Sequence, residues 1–203
     1  MSEFFKRNYN FEIRAENNPH NKTKIIRGRP IVYESKTDLG FCDEIIKRGA
    51  LDKADLSNVC FFVNHDTSKI PLARFDKENK GSTMQITLDN DGMGIDVELD
   101  TENNTDARAL YSAVERGDIT GMSFMFTIND EEWENLESDH PTRTITSIGK
   151  VIEVSAVTFP AYESTEISAR DKTALENAKK SVNNARSNDL ELEKLKAKYL
   201  YNI

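Results

Sequence analysis

Three residues have the types needed to activate a nucleophile for acyl transfer: Ser123, His65 and Glu153. A serine hydroxyl is a weak nucleophile until a base takes its proton, and the base works best when a carboxylate fixes its tautomer. The chain order His65, Ser123, Glu153 differs from that of the esterases, and no G-x-S-x-G motif surrounds the serine. The order is no objection, because such a set is recognised by its geometry.

Each of these residues also has an ordinary structural interpretation. Ser123 suits a strand with one polar residue on its solvated face. His65 suits a strand-end histidine that bonds to a loop carbonyl. A carboxylate in an apolar strand is costly to bury without a partner, so Glu153 either faces water, pairs with Arg74 or Arg143, or orients a histidine. The residues alone leave these alternatives open.

The strand predicted around Ser123 has one strongly apolar face. Met122, Phe124, Phe126 and Ile128 alternate onto that face, which puts Ser123 on the other one. A small hydroxyl on a strand that is anchored by core-facing aromatic residues suits a nucleophile held on a rigid element.

Two more predicted strands carry the histidine and the glutamate. The first covers residues 59–65, is apolar, and ends at His65. At such a strand end the side chain would be fixed by packing of the strand and would still face an open part of the surface. The second covers residues 151–159, in which Glu153 and Ser155 share one face. All three candidate side chains are therefore expected on strands.

The remaining pattern predicts mostly short strands and one clear helix. A helix capped by Thr105 runs to Arg116 and ends at Gly117. Residues 89–92, Asp-Asn-Asp-Gly, predict a hairpin turn, because the acidic spacing of a calcium loop does not follow them. Residues 129–140 are acidic and predict a surface loop or an insertion. Further strands are predicted at residues 11–15, 25–33, 71–75, 85–88, 95–99 and 144–148, with a short segment at 41–50.

Composition and charge argue against several classes of protein. No apolar run approaches the roughly 18 residues of a membrane helix, and the first residues lack the pattern of a secretory signal. A net charge of -8 argues against a nucleic-acid binder, since phosphate contacts need a basic surface. We therefore expect neither a membrane nor a nucleic acid among the partners.

The cysteines and the other histidines are expected to have no chemical role. Cys42 and Cys60 are predicted to be buried small hydrophobic residues in a reducing compartment, and two cysteines alone make no zinc site. His20 and His140 fall in polar stretches, so both are expected at the surface. The sequence thus predicts neither a metal nor a cofactor.

Composition divides the chain into three stretches. Residues 1–23 form a polar N-terminal extension, residues 24–170 a strand-rich body, and residues 171–203 a charged helical or mobile C-terminal extension. The body is predicted to be mainly β with helices, an α+β fold. A closed or half-closed β-barrel would bury its short strands without leaving free edges.

Several short motifs follow one another in a specific order along the body. They lie in residues 44–50, 62–66, 91–94, 116–126 and 153–162, and include Asn64-His65-Asp66, Gly121-Met122-Ser123-Phe124 and Glu153-Val154-Ser155. Together they resemble the tailed-bacteriophage prohead maturation protease family, serine proteases that clear scaffold during capsid assembly. The resemblance covers about residues 26–165, and the ordered set is more specific than any single motif.

The resemblance implies a fold similar to that of the herpesvirus assembly protease, a β-barrel wrapped by a few helices. It implies that the strand-rich body is the protease domain, with Ser123 as the nucleophile and His65 as the general base. Glu153 takes the third position as the orienting carboxylate, and Asp66 and Glu44 are the alternatives for that position.

The resemblance also implies a substrate and a location. The protein would be a serine endopeptidase that cleaves the scaffold segment of the major capsid protein, and itself, inside the immature capsid in the host bacterial cytoplasm. Self-association is left open. The competing hypothesis is a non-catalytic capsid assembly or scaffolding protein on the same barrel, in which the three residues are ordinary strand residues.

Overall fold

The computed structural model describes residues 4–9, 13–17, 24–158 and 165–201. These residues form eleven strands and two helices. The strands are β1 (Phe5–Tyr9), β2 (Ile13–Asn17), β3 (Lys24–Val32), β4 (Lys36–Asp38), β5 (Asp43–Ile46), β6 (Asn58–Val63), β7 (Ala73–Asp76), β8 (Met84–Asp89), β9 (Gly92–Leu99), β10 (Gly121–Glu134) and β11 (Thr142–Val157). The helices are α1 (Thr105–Arg116) and α2 (Thr165–Tyr201).

The strands form two sheets. The larger has seven strands in the order β1-β10-β11-β5-β4, with β6 paired to β11 and β7 paired to β6. The smaller has four strands in the order β2-β3-β9-β8. The long strand β11 branches the larger sheet, because residues 142–145 pair in parallel with β5 and residues 153–156 pair in parallel with β6.

The predicted α+β class, mainly β with a few helices, is confirmed. A closed barrel is not found in the described part of the chain, where every strand pairing lies within one sheet or the other. The larger sheet forks at β11, because β5 and β6 pair with different parts of the edge that β10 leaves free.

Side chains from both sheets and from α1 form one hydrophobic core. The predicted apolar face of β10 belongs to it, because Met122, Phe124 and Phe126 are each 0% exposed. Ile128, the fourth residue of that face, is only partly buried. The register with β11 shifts on both sides of Ile128, which interrupts the alternation there. The core thus anchors the part of β10 that carries Ser123.

Helix α1 has the predicted bounds and the predicted C-cap, but a different N-cap. Gly117 ends the helix with a φ of 79°, a left-handed conformation that glycine adopts without a Cβ clash. At the start, the Asn104 side chain accepts hydrogen bonds from the N–H groups of Asp106 and Ala107. Thr105, the predicted cap, is already the first helical residue, and Asn104 has the extended backbone that a cap requires.

The predicted Asp-Gly hairpin is confirmed between β8, which ends at Asp89, and β9, which begins at Gly92. Gly92 has a φ of 140°, and a Cβ added there would lie 2.0 Å from the carbonyl oxygen of Ile31. Both the backbone conformation and the close approach of β3 therefore require glycine at this turn.

Two predictions about the hairpin of β10 and β11 are wrong. Residues 129–140, predicted as a surface loop or insertion, continue as strand β10 over the first half of their length. The strands predicted at residues 144–148 and 151–159 are one continuous strand, β11. The acidic stretch is stable as a strand because it pairs along β11 and because Glu131 binds the guanidinium group of the buried Arg143.

Both ends of the chain contribute secondary structure. Strands β1 and β2 lie within residues 1–23 and pair with β10 and β3. Strand β2 overlaps the strand predicted at residues 11–15, of which residues 11 and 12 lie outside the described residues. Helix α2 begins at Thr165, ahead of the predicted boundary at residue 171, and the three-part division of the chain stays a prediction. Across the described ranges, no helix has both the length and the apolar character to cross a membrane.

Four charged residues, the buried ion cluster, join both ends of the chain to the larger sheet. Arg7 of β1, Glu44 of β5, Arg143 of β11 and Asp171 of α2 are each between 0% and 2% exposed. Asp171 accepts hydrogen bonds from Arg7 at 2.9 Å and from Arg143 at 2.7 Å. Glu44 binds the same two guanidinium groups, at 2.6 Å from Arg7 and 3.4 Å from Arg143. Such pairing compensates the cost of removing the charges from water.

Replacing Glu44 by glutamine is expected to lower the free energy of unfolding by about 3 kcal/mol. Arg7 loses its main carboxylate partner but keeps Asp171, so the loss stays at the low end of the range for a broken buried pair. Denaturant unfolding of the wild type and the variant measures the difference. The control is Asp96→Asn, because Asp96 pairs with Arg27 at the surface and should matter by less than about 1 kcal/mol. Equal losses in the two variants would contradict the prediction.

Candidate active site

The structure brings the three sequence-predicted residues together. His65 lies just beyond β6, Ser123 lies on β10 and Glu153 lies on β11. The Nε2 atom of His65 is 2.5 Å from the hydroxyl oxygen of Ser123. The Nδ1 atom of the same ring is hydrogen-bonded to Oε1 of Glu153. One imidazole ring therefore bridges a serine hydroxyl and a carboxylate.

Ser123 is held in the interior of the larger sheet. Its strand β10 pairs with β1 on one side and with β11 on the other, where Ser155 is the register partner of Ser123. The neighbouring side chains of Met122 and Phe124 belong to the core, so the hydroxyl lies on the opposite face, as the alternation predicts. Ser123 is 0% exposed, so the alternative of a serine on a solvated strand face is wrong.

His65 reaches Ser123 because the chain reverses immediately after β6. Asn64 and His65 have φ values of 51° and 58°, in the left-handed region that residues other than glycine seldom occupy. A histidine that continued along β6 would be two strand spacings, roughly 9–10 Å, from β10, because β11 lies between them. The reversal instead brings the imidazole ring back across β11. Such a conformation costs on the order of 1–3 kcal/mol per residue and needs support from its surroundings.

The end of β11 supplies that support. The N–H of Asn64 donates to the carbonyl of Ala156 at 2.9 Å. The Asn64 side chain accepts a hydrogen bond from the N–H of Thr158 at 3.0 Å and donates to the Thr158 hydroxyl at 3.1 Å. The N–H of His65 donates to the hydroxyl oxygen of Ser155 at 3.2 Å. The turn that carries the imidazole is therefore bonded to the strand that carries the glutamate.

Glu153 is buried, at 1% exposure, and both of its carboxylate oxygens have partners. Oε1 binds the His65 ring, and Oε2 accepts a hydrogen bond from the Ser155 hydroxyl at 2.6 Å. The arginines considered from the sequence are engaged elsewhere. Arg74 donates to an asparagine of β6, and Arg143 belongs to the buried ion cluster. Of the three alternatives for this glutamate, the structure contains the contact with a histidine.

The two other carboxylates considered for the third position have different partners. Asp66 accepts hydrogen bonds from the hydroxyl and the N–H of Ser68, and the hydroxyl bond holds the pKa of the Asp66 carboxyl below its usual value. Glu44 is part of the buried ion cluster. Both carboxylates therefore serve the local structure around them.

The geometry defines what the site can do chemically. With the proton of a neutral His65 on Nδ1 and donated to Glu153, the lone pair of Nε2 faces the Ser123 hydroxyl. The ring can then accept the serine proton while the carboxylate stabilises the resulting imidazolium. This arrangement suits nucleophilic attack by serine on a carbonyl group.

A cleft of about 370 Å³ opens beside the histidine turn, between β6 and α1. Asn64 contributes to one wall, and Leu72, Leu110 and Ile119 contribute apolar surface. Ser123, His65 and Glu153 do not line this cleft, which adjoins the site only through the neighbours of His65, Asn64 and Asp66.

The cysteines take no part in this arrangement. Cys42 is 0% exposed, as predicted, and burial raises the pKa of its thiol to about 12. Cys60 is only partly buried, and neither cysteine forms a disulfide. A thiol that stays protonated at neutral pH is a poor nucleophile, so Cys42 is a packing residue.

Of the other two histidines, the structure describes His140. His20 lies outside the described residues. His140 is at the surface and lies with Asp38 and Asp43 in a group whose ligand atoms are within 4.8 Å of one another. The ammonium group of Lys36 is 2.7 Å from Asp43 and holds the pKa of that carboxyl below its usual value. These groups near the surface are partners of one another, with Asp43 in contact with both Lys36 and His140.

Sequence reasoning missed the contributions of Ser155 and Asn64. The pattern put Ser155 on the same strand face as Glu153, two residues away, and this spacing was a signal that the two side chains could meet. Asn64 directly precedes the histidine, and asparagine is enriched among left-handed residues. Neither residue was given a role from the sequence.

Comparison with known proteins identifies the family. The family model of the caudovirus prohead serine protease matches residues 9–181, a stretch that includes the whole site. Among solved structures, the bacteriophage T4 capsid assembly protease is similar with a TM-score of 0.46 and 13% identity, over 78% of this chain and 98% of that one. A search of curated proteins finds no match. The family model covers most of the chain, so the protein is a serine protease of the caudovirus prohead serine protease family.

Proposed function

We propose that the protein is the serine endopeptidase of capsid maturation, with Ser123 as nucleophile, His65 as general base and Glu153 as orienting carboxylate. The observation that carries the proposal is the single imidazole ring that contacts both the serine hydroxyl and the buried carboxylate. Membership of a serine protease family makes peptide bonds the substrate class.

The reaction follows from the positions of these groups. Ser123 Oγ attacks the scissile carbonyl carbon while its proton passes to Nε2 of His65. The tetrahedral intermediate collapses, the carbon–nitrogen bond breaks, and the imidazolium returns the proton to the leaving amine. Water then attacks the acyl-enzyme with His65 again as base, which releases the carboxylic acid and restores the serine. Throughout, Glu153 holds Nδ1–H and stabilises the positive ring.

The proposed substrate is the scaffold segment of the major capsid protein, together with the protease itself. The family description supports this, since it names the prohead, the immature capsid in which scaffold is still present. The working location is then the interior of the prohead in the host bacterial cytoplasm, and the capsid protein is the main partner.

The two sheets correspond, in this proposal, to the half-closed barrel of a herpesvirus-assembly-protease-like domain. The shared hydrophobic core supports this, because it contains side chains of both sheets although no strand pairing joins them in the described residues. The protease domain would span residues 24–170, with the flanking stretches as extensions.

Coexpression with the major capsid protein of the same phage tests the proposal. We expect the capsid protein to be shortened on gels, and a serine-directed fluorophosphonate probe to label the protease. Trypsin releases residues 117–143 as one peptide, so fragmentation must locate the adduct on Ser123 and not on the exposed Ser138 of that peptide. An adduct elsewhere would overturn the nucleophile assignment. An intact capsid protein with an unlabelled protease would favour the non-catalytic hypothesis.

A further inference from the structure

A second serine lies within the proposed catalytic group without belonging to it. Ser155 is on β11, opposite Ser123 of β10 and opposite Phe62 of β6, and it is 0% exposed. Its hydroxyl donates to Oε2 of Glu153 at 2.6 Å and accepts from the N–H of His65 at 3.2 Å. Ser155 therefore contacts the glutamate and the histidine through atoms other than those that join them to each other.

Both of these contacts provide a hydrogen-bond partner to a polar group, Oε2 of Glu153 in one case and the N–H of His65 in the other. Oε1 of Glu153 is occupied by the His65 ring, and an unpaired Oε2 on a carboxylate with 1% exposure would be costly. The N–H of His65 belongs to a left-handed, partly buried turn beyond the end of β6, and its bond to Ser155 fixes that turn to β11. A hydroxyl can donate once and accept as well, so one side chain meets both needs.

The direction of the hydrogen bonds separates Ser155 from the proposed nucleophile. The Ser155 proton is donated to a carboxylate, whereas the Ser123 hydroxyl contacts Nε2 of the imidazole ring. Ser155 also links the backbone of His65 to the side chain of Glu153, which lie on different elements. A change in the position of one is therefore passed to the other.

We infer that Ser155 is a positioning residue, which holds the Glu153 carboxylate and the His65 turn in the mutual orientation that keeps Nε2 at 2.5 Å from Ser123. This inference rests on the proposed roles of those three residues. Ser155 does not contact the reacting atoms. It acts through the carboxylate and through the backbone of the base.

Labelling kinetics of Ser155→Ala with the fluorophosphonate probe test the inference. Measured against probe concentration, the data give a maximal labelling rate and a half-saturating concentration separately. We expect the maximal rate to fall roughly 10–100-fold with the half-saturating concentration unchanged, less than the loss of about 10⁴ when a triad carboxylate is replaced. Equal maximal rates for Ser155→Ala and wild type would overturn the inference.

The chain offers a matched control on the same strand. Thr146 of β11 has a buried hydroxyl for which the described residues provide no hydrogen-bond partner. Thr146→Val also removes a buried hydroxyl from β11 but leaves the site untouched, and we expect its labelling rate to stay within about twofold of wild type. A loss in Thr146→Val equal to that in Ser155→Ala would point to general damage to β11 and overturn the inference.

Proton NMR supplies a readout that a merely structural serine would not move. The proton shared by His65 Nδ1 and Glu153 should give a downfield signal, assigned by its loss in His65→Ala, and the chain has only 3 histidines to distinguish. We expect Ser155→Ala to shift or broaden this signal and Thr146→Val to leave it in place. An unchanged signal in a folded Ser155→Ala protein would contradict the inference.

Two further variants, Ser155→Cys and Ser123→Ala, distinguish a failure of the inference about Ser155 from a failure of the proposed function. If Ser155→Ala fails to fold, Ser155→Cys replaces it, since cysteine is close in volume and is only a weak donor. We then expect the same direction of change with a smaller size, and a wild-type rate would overturn the inference. If Ser123→Ala still cleaves the capsid protein, the proposed function fails. If Ser123→Ala is inactive while both Ser155 variants behave as wild type, only the inference about Ser155 fails.

Discussion

Replacing Ser123 by alanine is expected to stop cleavage of the capsid protein, with kcat lower by about 10⁶-fold. The change removes the proposed attacking oxygen, which lies 2.5 Å from Nε2 of His65. Gel analysis of the coexpressed capsid protein over time measures the loss. Thermal unfolding should show a folded variant, because the neighbouring core residues Met122 and Phe124 are unchanged.

The matched control for this variant is Ser138→Ala. Ser138 lies in the same tryptic peptide but is exposed, and its hydroxyl accepts a hydrogen bond from the backbone of His140. We expect Ser138→Ala to process the capsid protein at the wild-type rate. Processing by Ser123→Ala at more than a trace of the wild-type rate would mean that another residue is the nucleophile.

Replacing Glu153 by glutamine is expected to lower kcat by about 10⁴-fold while the protein stays folded. Glutamine keeps the volume of the side chain, but its amide can donate to Nδ1 of His65 and so favours the tautomer with the proton on Nε2. In that tautomer the ring faces Ser123 with an N–H group and cannot accept the serine proton. Steady-state cleavage of the capsid protein measures the effect, and the half-saturating substrate concentration should change little.

Two other carboxylates serve as controls for the glutamate. Asp66 is next to His65 in the chain, but its carboxylate binds Ser68. We therefore expect Asp66→Asn to change kcat by less than about threefold. Glu44→Gln should lower the free energy of unfolding. The kcat of the folded variant should also stay within about threefold of the wild-type value. A larger loss of kcat in Asp66→Asn than in Glu153→Gln would transfer the third position to Asp66.

The sequence contains enough local information to predict the strands of the site. Alternation identifies the buried face of β10, with Met122 and Phe124 in the core, and so the opposite face for Ser123. Cap and turn chemistry identifies α1 and the hairpin before Gly92, because both depend on a few adjacent residues. The three candidate residues could be proposed because Ser123, His65 and Glu153 each lie on a strand that is predicted to be mostly apolar.

The rest depends on contacts between residues that are distant in the chain. Arg7 binds Glu44, which is 37 residues away, and Asp171, which is 164 residues away, and no periodic pattern encodes such pairs. The branching of the larger sheet at β11 depends on two separate parallel pairings, and no local pattern in the sequence decides between the two predicted forms, a closed and a half-closed barrel. The acidic residues at the end of β10 carry no local strand pattern and therefore predict a loop. They form a strand because they pair with β11, which the local sequence does not reveal.

Strand β11 contributes to both the buried ion cluster and the proposed active site, through Arg143 near its start and through Glu153 and Ser155 near its end. Side chains alternate along a strand, so a slip by one residue would turn all three to the wrong face at once. Such a chain would lose the catalytic contacts and would also leave unpaired charges in its interior, at a cost of about 3–5 kcal/mol for each broken pair. The buried ion cluster and the candidate site therefore depend on the same alignment of β11, so the alignment that pairs the buried charges is also the one that places Glu153 against His65.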